Sequence, residues 1–319
     1  HVCQGLPEKL QDLLLNLNKA NAINFSNGKI SFNLSVMEKY ILASNDVNLK
    51  ISEFTPVEHC ILLVVICIGF PLFADFLLIL AQSLYKEFFK FSISKTKFED
   101  ALENMYPKPL KVSFYNMNNK IYTDHDLTFG AALLYFKENN MYKISCDTIY
   151  RILKHDIPDE FEKCFNESSQ KEIFANLTYN AENNDWKELN LECGKYFYNN
   201  ENYIQATKYF NRLLTSINSF KDNEKLYFAI ANYETGQYPT AYKIIQQISD
   251  GNLKEDYIYN IYAGKIFNMN GDYQSAETYF NKAVEVSGKN SDDQFYANYM
   301  LHIILTQIPD RWNDAAVIY

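Results

Sequence analysis

The chain has 319 residues, 47% of them hydrophobic and 22% charged, with a net charge of −9. That composition is not the one of a disordered segment. An acidic chain without a Lys/Arg block has no electrostatic footprint for nucleic acid. Only 10 Gly and 8 Pro are present, which disfavours an all-β chain rich in tight turns.

Residues 1–58 read as a mixed N-terminal region. Leu10, Leu13, Leu14 and Leu17 fall at helical spacing and predict an amphipathic helix. Ile30, Phe32, Leu34 and Val36 alternate with polar residues, a short strand signal. The stretch 37–44, "MEKYILAS", fits either.

Residues 59–91 form a hydrophobic segment. Within 60–81, 15 of 22 residues are Leu, Ile, Val or Phe, and Asp75 is the one charge. Those apolar residues would gain roughly 4.5–9 kcal/mol on insertion, against about 3 kcal/mol for a central Asp. The length suits one bilayer crossing of about 20 residues. A buried helical hairpin, broken at Gly69-Phe70-Pro71, fits the same residues. Lys86, Lys90, Lys95 and Lys97 follow the run, and Lys39 and Lys50 precede it. For a crossing helix this bias puts the C-terminal side in the cytoplasm. Asp75 is then either an intramembrane carboxylate, which is often functional, or a helix-end residue beside Ala74.

Residues 92–125 read as a linker with a short hairpin. Pro107 and Pro109 break any helix, and Val112 and Phe114 face Ile121 and Tyr122 across an Asn-rich turn. The adjacent Asp124, His125 and Asp126 read either as a metal or acid–base group or as a helix start, Asp126 capping a helix from Leu127. Residues 126–186 are helical. Two helices are expected between Ile157 and Asp185, the second starting at a capping box, Ser169 with Glu172.

From 187 to 319 the chain repeats itself. The stretch "GKYFYNNENYIQATKYFN" at Gly194 and "GKIFNMNGDYQSAETYFN" at Gly264 share nine of eighteen residues. Between them lies a third copy, so that Tyr203, Tyr238 and Tyr273 recur every 35 residues. Each Tyr is followed three residues later by Ala206, Ala241 or Ala276, and seven later by Phe210, Ile245 or Phe280. Nine residues before it sits Gly194, Ala229 or Gly264. Two antiparallel helices that cross closely need small residues where they touch. The turns "NNEN", "ETGQ" and "MNGD" are polar, and Pro239 falls at the first position of a second helix, where it does little harm.

These residues resemble the tetratricopeptide repeat family over about 187–290. The family's usual Trp is replaced by Asn190, Lys225 and Asn260, its terminal Pro is absent, and the period is 35. Weaker copies flank the array. One has Tyr142, Ser145, Ile149 and Ile152 at the same offsets, with Leu133 at the small position, and the other has Trp312 and Ala315. The resemblance implies a mainly α fold, a right-handed α-solenoid of helix pairs whose concave face binds a protein or peptide partner. On that face the phase puts Leu191, Lys195, Tyr198, Ile230, Tyr233, Ile261, Lys265 and Met269. Tyr227 and Ile258 stand where a carboxylate-gripping subtype needs cations, so a chaperone-tail cofactor is not expected.

Chemistry finds little to stand on. His1, His59, His125, His155 and His302 form no paired-ligand motif, and neither a phosphate loop nor a nucleophile elbow occurs. Cys3, Cys60, Cys67, Cys146, Cys164 and Cys193 are scattered and read as reduced structural thiols. The expectation is a non-catalytic interaction scaffold without cofactor or metal. It is either anchored to a membrane through 60–81 with cytoplasmic repeats, or a soluble adaptor with that run buried in a helical domain.

Overall fold

The computed structural model of the chain describes residues 23–26, 29–32, 54–70, 72–105, 120–121, 126–288, 291–309 and 311–317. The described chain is mainly helical and divides into two compact units, 1–184 and 185–319. The expected helix over Leu10–Leu17 and the stretch 37–44 lie outside the described residues. So do Leu34, Val36, Val112, Phe114, Tyr122, Asp124 and His125.

In the first unit β1 (Ile23–Ser26) pairs antiparallel with β2 (Lys29–Phe32), Ile23 opposite Phe32. Helix α1 (Pro56–Ile68) starts from a reciprocal cap. The Glu58 N–H donates to Thr55 Oγ1 at 3.3 Å, and the Thr55 N–H donates to Glu58 Oε2 at 2.7 Å. The helix ends at Gly69, whose φ of +70° is left-handed and whose N–H reaches the Val65 carbonyl. After β3 (Leu72–Phe73), helix α2 runs from Ala74 to Phe89. The apolar run is therefore two helices packed together, not one. At about 1.5 Å per residue, α1 is some 20 Å long, short of a hydrocarbon core of about 30 Å. Among the described residues no helix is long and apolar enough to cross a membrane. This corrects the single-crossing expectation: a left-handed glycine followed by Phe70 and Pro71 interrupts the run. Asp75 is exposed in the first turn of α2, a helix-end residue.

The expected linker also needs correcting. Lys95–Met105 is a helix, α3, with Phe98, Ala101, Leu102 and Met105 buried at the i, i+3, i+4, i+7 spacing of an amphipathic face. Strand β4 (Lys120–Ile121) pairs with β3, Ile121 opposite Leu72; the other residues of the expected hairpin lie outside the described residues. Then come α4 (Asp126–Glu138) and α5 (Met141–Arg151), which continues into a π-helical turn over Ile152–Asp156. Tyr142, Ser145, Ile149 and Ile152 are all buried. Helices α6 (Pro158–Cys164) and α7 (Glu167–Ala181) complete the unit. The cap of α7 is Asn166, whose side chain accepts the Ser169 N–H at 2.9 Å. Ser169 is thus inside the first turn, and the expected box at Ser169 and Glu172 starts the helix three residues late. The unit is built around α1. Cys60 through Ile68 are at most 5% exposed, and α2, α3, α4, α5 and α7 all pack on it.

The second unit is a succession of helix pairs: α8 (Trp186–Asn199) with α9 (Tyr203–Arg212), and α10 (Asp222–Glu234) with α11 (Tyr238–Ile245). Then follow α12 (Tyr257–Met269) with α13 (Tyr273–Val286), and α14 (Asp292–Gln307) with α15 (Trp312–Val317). The 35-residue period is written into the backbone. Glu201, Gly236 and Gly271 all have positive φ, and each opens the same turn. In each, the next N–H reaches back to a first-helix carbonyl: Asn202 to Phe197, Gln237 to Asn232, Asp272 to Phe267. These are three Schellman caps in register. Asn202 and Asp272 then cap the second helices through their side chains, while α11 carries Pro239 in its first turn.

In the first and third pairs the small residue faces the large one seven residues after the Tyr. A Cβ on Gly194 would lie 2.3 Å from the Phe210 ring, and one on Gly264 2.5 Å from Phe280. The middle copy has Ala229 and the slimmer Ile245, both buried. Ala206, Ala241 and Ala276 are buried completely.

Candidate partner-binding face

The residues that stand in place of Trp are buried and polar, and they tie neighbouring segments together. Arg212 Nη1 donates to Asn190 Oδ1 at 3.0 Å, and Asn260 Nδ2 donates to the Lys254 and Asp256 carbonyls. Lys225 Nζ lies 2.7 Å from Asp222 Oδ1, and Asp222 Oδ2 accepts the N–H groups of Ser249 and Asp250, each at 2.7 Å. Burial opposes the charge on Asp222, but Lys225 and the two amides outweigh it and hold its pKa down at about 2. These groups are structural; the face lies elsewhere.

One side of the first helices of the pairs carries tyrosines. The Tyr198 ring sits 4.8 Å from Tyr227 and 5.6 Å from Tyr203, and Tyr233 sits 5.4 Å from Tyr238 and 5.9 Å from Tyr262. Lys265 Nζ lies 4.8 Å from the Tyr262 ring centre and 5.1 Å from that of Tyr296, which is 37% exposed. The Tyr262 hydroxyl donates to Glu234 Oε1 at 2.9 Å. Tyr198, Tyr203, Tyr227, Tyr233 and Tyr262 are half-buried. Burial is the largest cause that raises the phenol pKa of Tyr198 and Tyr233 to about 12, with the Glu234 charge adding to it. Tyr203 and Tyr262 are raised too, by burial first and then by Glu234.

The expected site residues divide on this geometry. Tyr198, Tyr233 and Lys265 lie together on the tyrosine face. Leu191 is half-buried, and Met269 is 46% exposed. Lys195 is engaged, its Nζ 2.8 Å from Glu224. Ile230 and Ile261 are 1% and 3% exposed and have no surface to offer a partner; they pack inside the unit. The phase explains the error. Tyr262 follows Ile261, a residue assigned to the face, and Tyr227 holds the same place in the middle copy; one helical residue turns the side chain by about 100°. Their signal was available, an aromatic at the same repeat position in two copies.

Among the described residues no group of His, Cys, Asp or Glu is arranged to hold a metal ion. No protein-family model, curated protein or solved structure matches this chain.

Proposed function

We propose that this chain is a non-catalytic interaction scaffold. Its second unit is a right-handed α-solenoid of tetratricopeptide-like helix pairs, and its tyrosine face binds an extended peptide segment of a partner protein. The observation that carries the reading is the face itself: five half-buried tyrosines, four on successive first helices and Tyr203 at the start of α9, arranged ring against ring. Tyrosine offers a large, rigid contact area with a polar tip and little rotamer entropy to lose, which suits binding hot spots. The three caps in register and the Gly–Phe pairs support a stacked-repeat architecture. In this reading the apolar run 60–81 is internal packing of a helical unit; the burial of α1 among five helices supports that role over a tether.

The test is selection of binders to the full chain from a random-peptide display library. Peptides should enrich, and replacing Tyr198, Tyr233 and Lys265 together by Ala should weaken them at least about tenfold. Helicity measured by circular dichroism should be unchanged. Binding that survives the triple substitution places the contact elsewhere and sinks the reading.

A further inference from the structure

Within the tyrosine face, one place differs from its neighbours in charge. Glu234, the last residue of α10, is exposed, and it accepts a hydrogen bond from Tyr262 at 2.9 Å. Tyr198, Tyr203, Tyr233 and Tyr262 all feel its charge. Among the described residues no Lys or Arg forms an ion pair with it.

The repeat shows what is missing there. In the third copy Lys265 sets its ammonium between Tyr262 and Tyr296. In the first copy the equivalent Lys195 meets Glu224. In the middle copy that position is Ile230, turned into the core. Among the described residues, the middle copy therefore offers aromatic rings and a carboxylate but no Lys or Arg of its own at that repeat position.

We propose that the surface around Glu234, bordered by Tyr198, Tyr203, Tyr233 and Tyr262, takes the cationic side chain, Arg or Lys, of an extended basic peptide. This rests on the reading of the tyrosine face as a binding surface and adds the chemistry of what binds. Ring faces carry negative potential that attracts a guanidinium or ammonium, and the carboxylate supplies a full charge beside them. The chain's net charge of −9 steers a basic segment toward it. Lys265 on its two rings shows the same chemistry within the chain.

Fluorescence anisotropy on the full chain tests this with a short labelled peptide of alternating arginine and glycine. The control is the same peptide with neutral citrulline for arginine. The arginine peptide should bind at least about tenfold more tightly than the citrulline one. Glu234→Gln, which keeps an acceptor for the Tyr262 hydroxyl, should weaken it roughly fivefold. Glu162→Gln makes the same charge change at an exposed position of the first unit and should leave binding within about twofold. Equal binding of the two peptides, or equal effects of the two substitutions, overturns the proposal. Library peptides that lack Arg and Lys yet depend on Tyr198 and Tyr233 also overturn it, and they leave the binding face standing. Loss of all dependence on the tyrosines brings down both.

Discussion

Glu201 occupies a backbone conformation that its two repeat counterparts give to glycine. Its φ is +58°, against +76° at Gly236 and +79° at Gly271, and all three open the same Schellman turn. A side chain in the left-handed region costs roughly 1–2 kcal/mol, and glycine gives back about 0.5–1 kcal/mol in unfolded-state entropy. Glu201→Gly should therefore stabilise the protein by about 0.5–1 kcal/mol in urea denaturation. An unchanged or lower midpoint would mean that the turn is not strained. Asp222 sets a second expectation at this scale. Its folded-state pKa, about 2, lies below the ordinary carboxylate value. A depressed pKa contributes stability above the unfolded value, near 4, and that contribution is lost as pH falls toward 2. Asp222→Asn should cost about 1–3 kcal/mol at pH 7 by weakening the hold on Lys225 and the two amides. Its stability should then fall less steeply than that of the unsubstituted chain between pH 4 and pH 2. Parallel pH curves would rule out Asp222 as the source.

At the scale of elements, the pairing of a small residue with a large one fixes how closely the two helices of a pair approach. The sequence shows the small residue at Gly194, Ala229 and Gly264, and that part was legible because it recurs. Which residue meets it directly was less legible: a close crossing suggests Ala206 or Ala276 against the glycine, with Tyr and Phe filling the space around them. The structure instead puts the Phe210 and Phe280 rings against the glycine. Ring volume and the missing Cβ compensate one another in these two copies, and the middle copy has Ala229 and the slimmer Ile245 at the same repeat positions, both buried. Gly264→Ala should destabilise by about 1–3 kcal/mol, since a Cβ 2.5 Å from a ring carbon forces Phe280 to move. Adding Phe280→Ile copies the middle repeat and should recover most of the loss. A double-mutant cycle of thermal unfolding measures it, and strict additivity of the two substitutions would deny the coupling.

At the scale of the whole chain, local periodicity was legible and surroundings were not. The 35-residue repeat, the short turns and Pro239 at a helix start could all be read from spacing. The tyrosine face was half read. Tyr198, Tyr233 and Lys265 came from the repeat phase, but Ile230 and Ile261 shared that phase and point inward, where neighbouring helices cover them. The run 60–81 shows the same limit. A helix apolar on every side suits lipid or protein equally well, because only its surroundings distinguish the two. Here Thr55 and Gly69 stop α1 at both ends, and five helices enclose it. Two substitutions separate the causes. A Cβ on Gly69 would meet nothing within 4 Å, so Gly69→Ala costs only the left-handed backbone, about 1 kcal/mol. Leu63 has no exposed surface, so Leu63→Ala removes packed atoms and leaves a cavity, costing about 3–5 kcal/mol. The larger loss at Leu63, read by urea denaturation without detergent, is what a protein interior around α1 requires. An unchanged midpoint at Leu63 would show that α1 is not packed there.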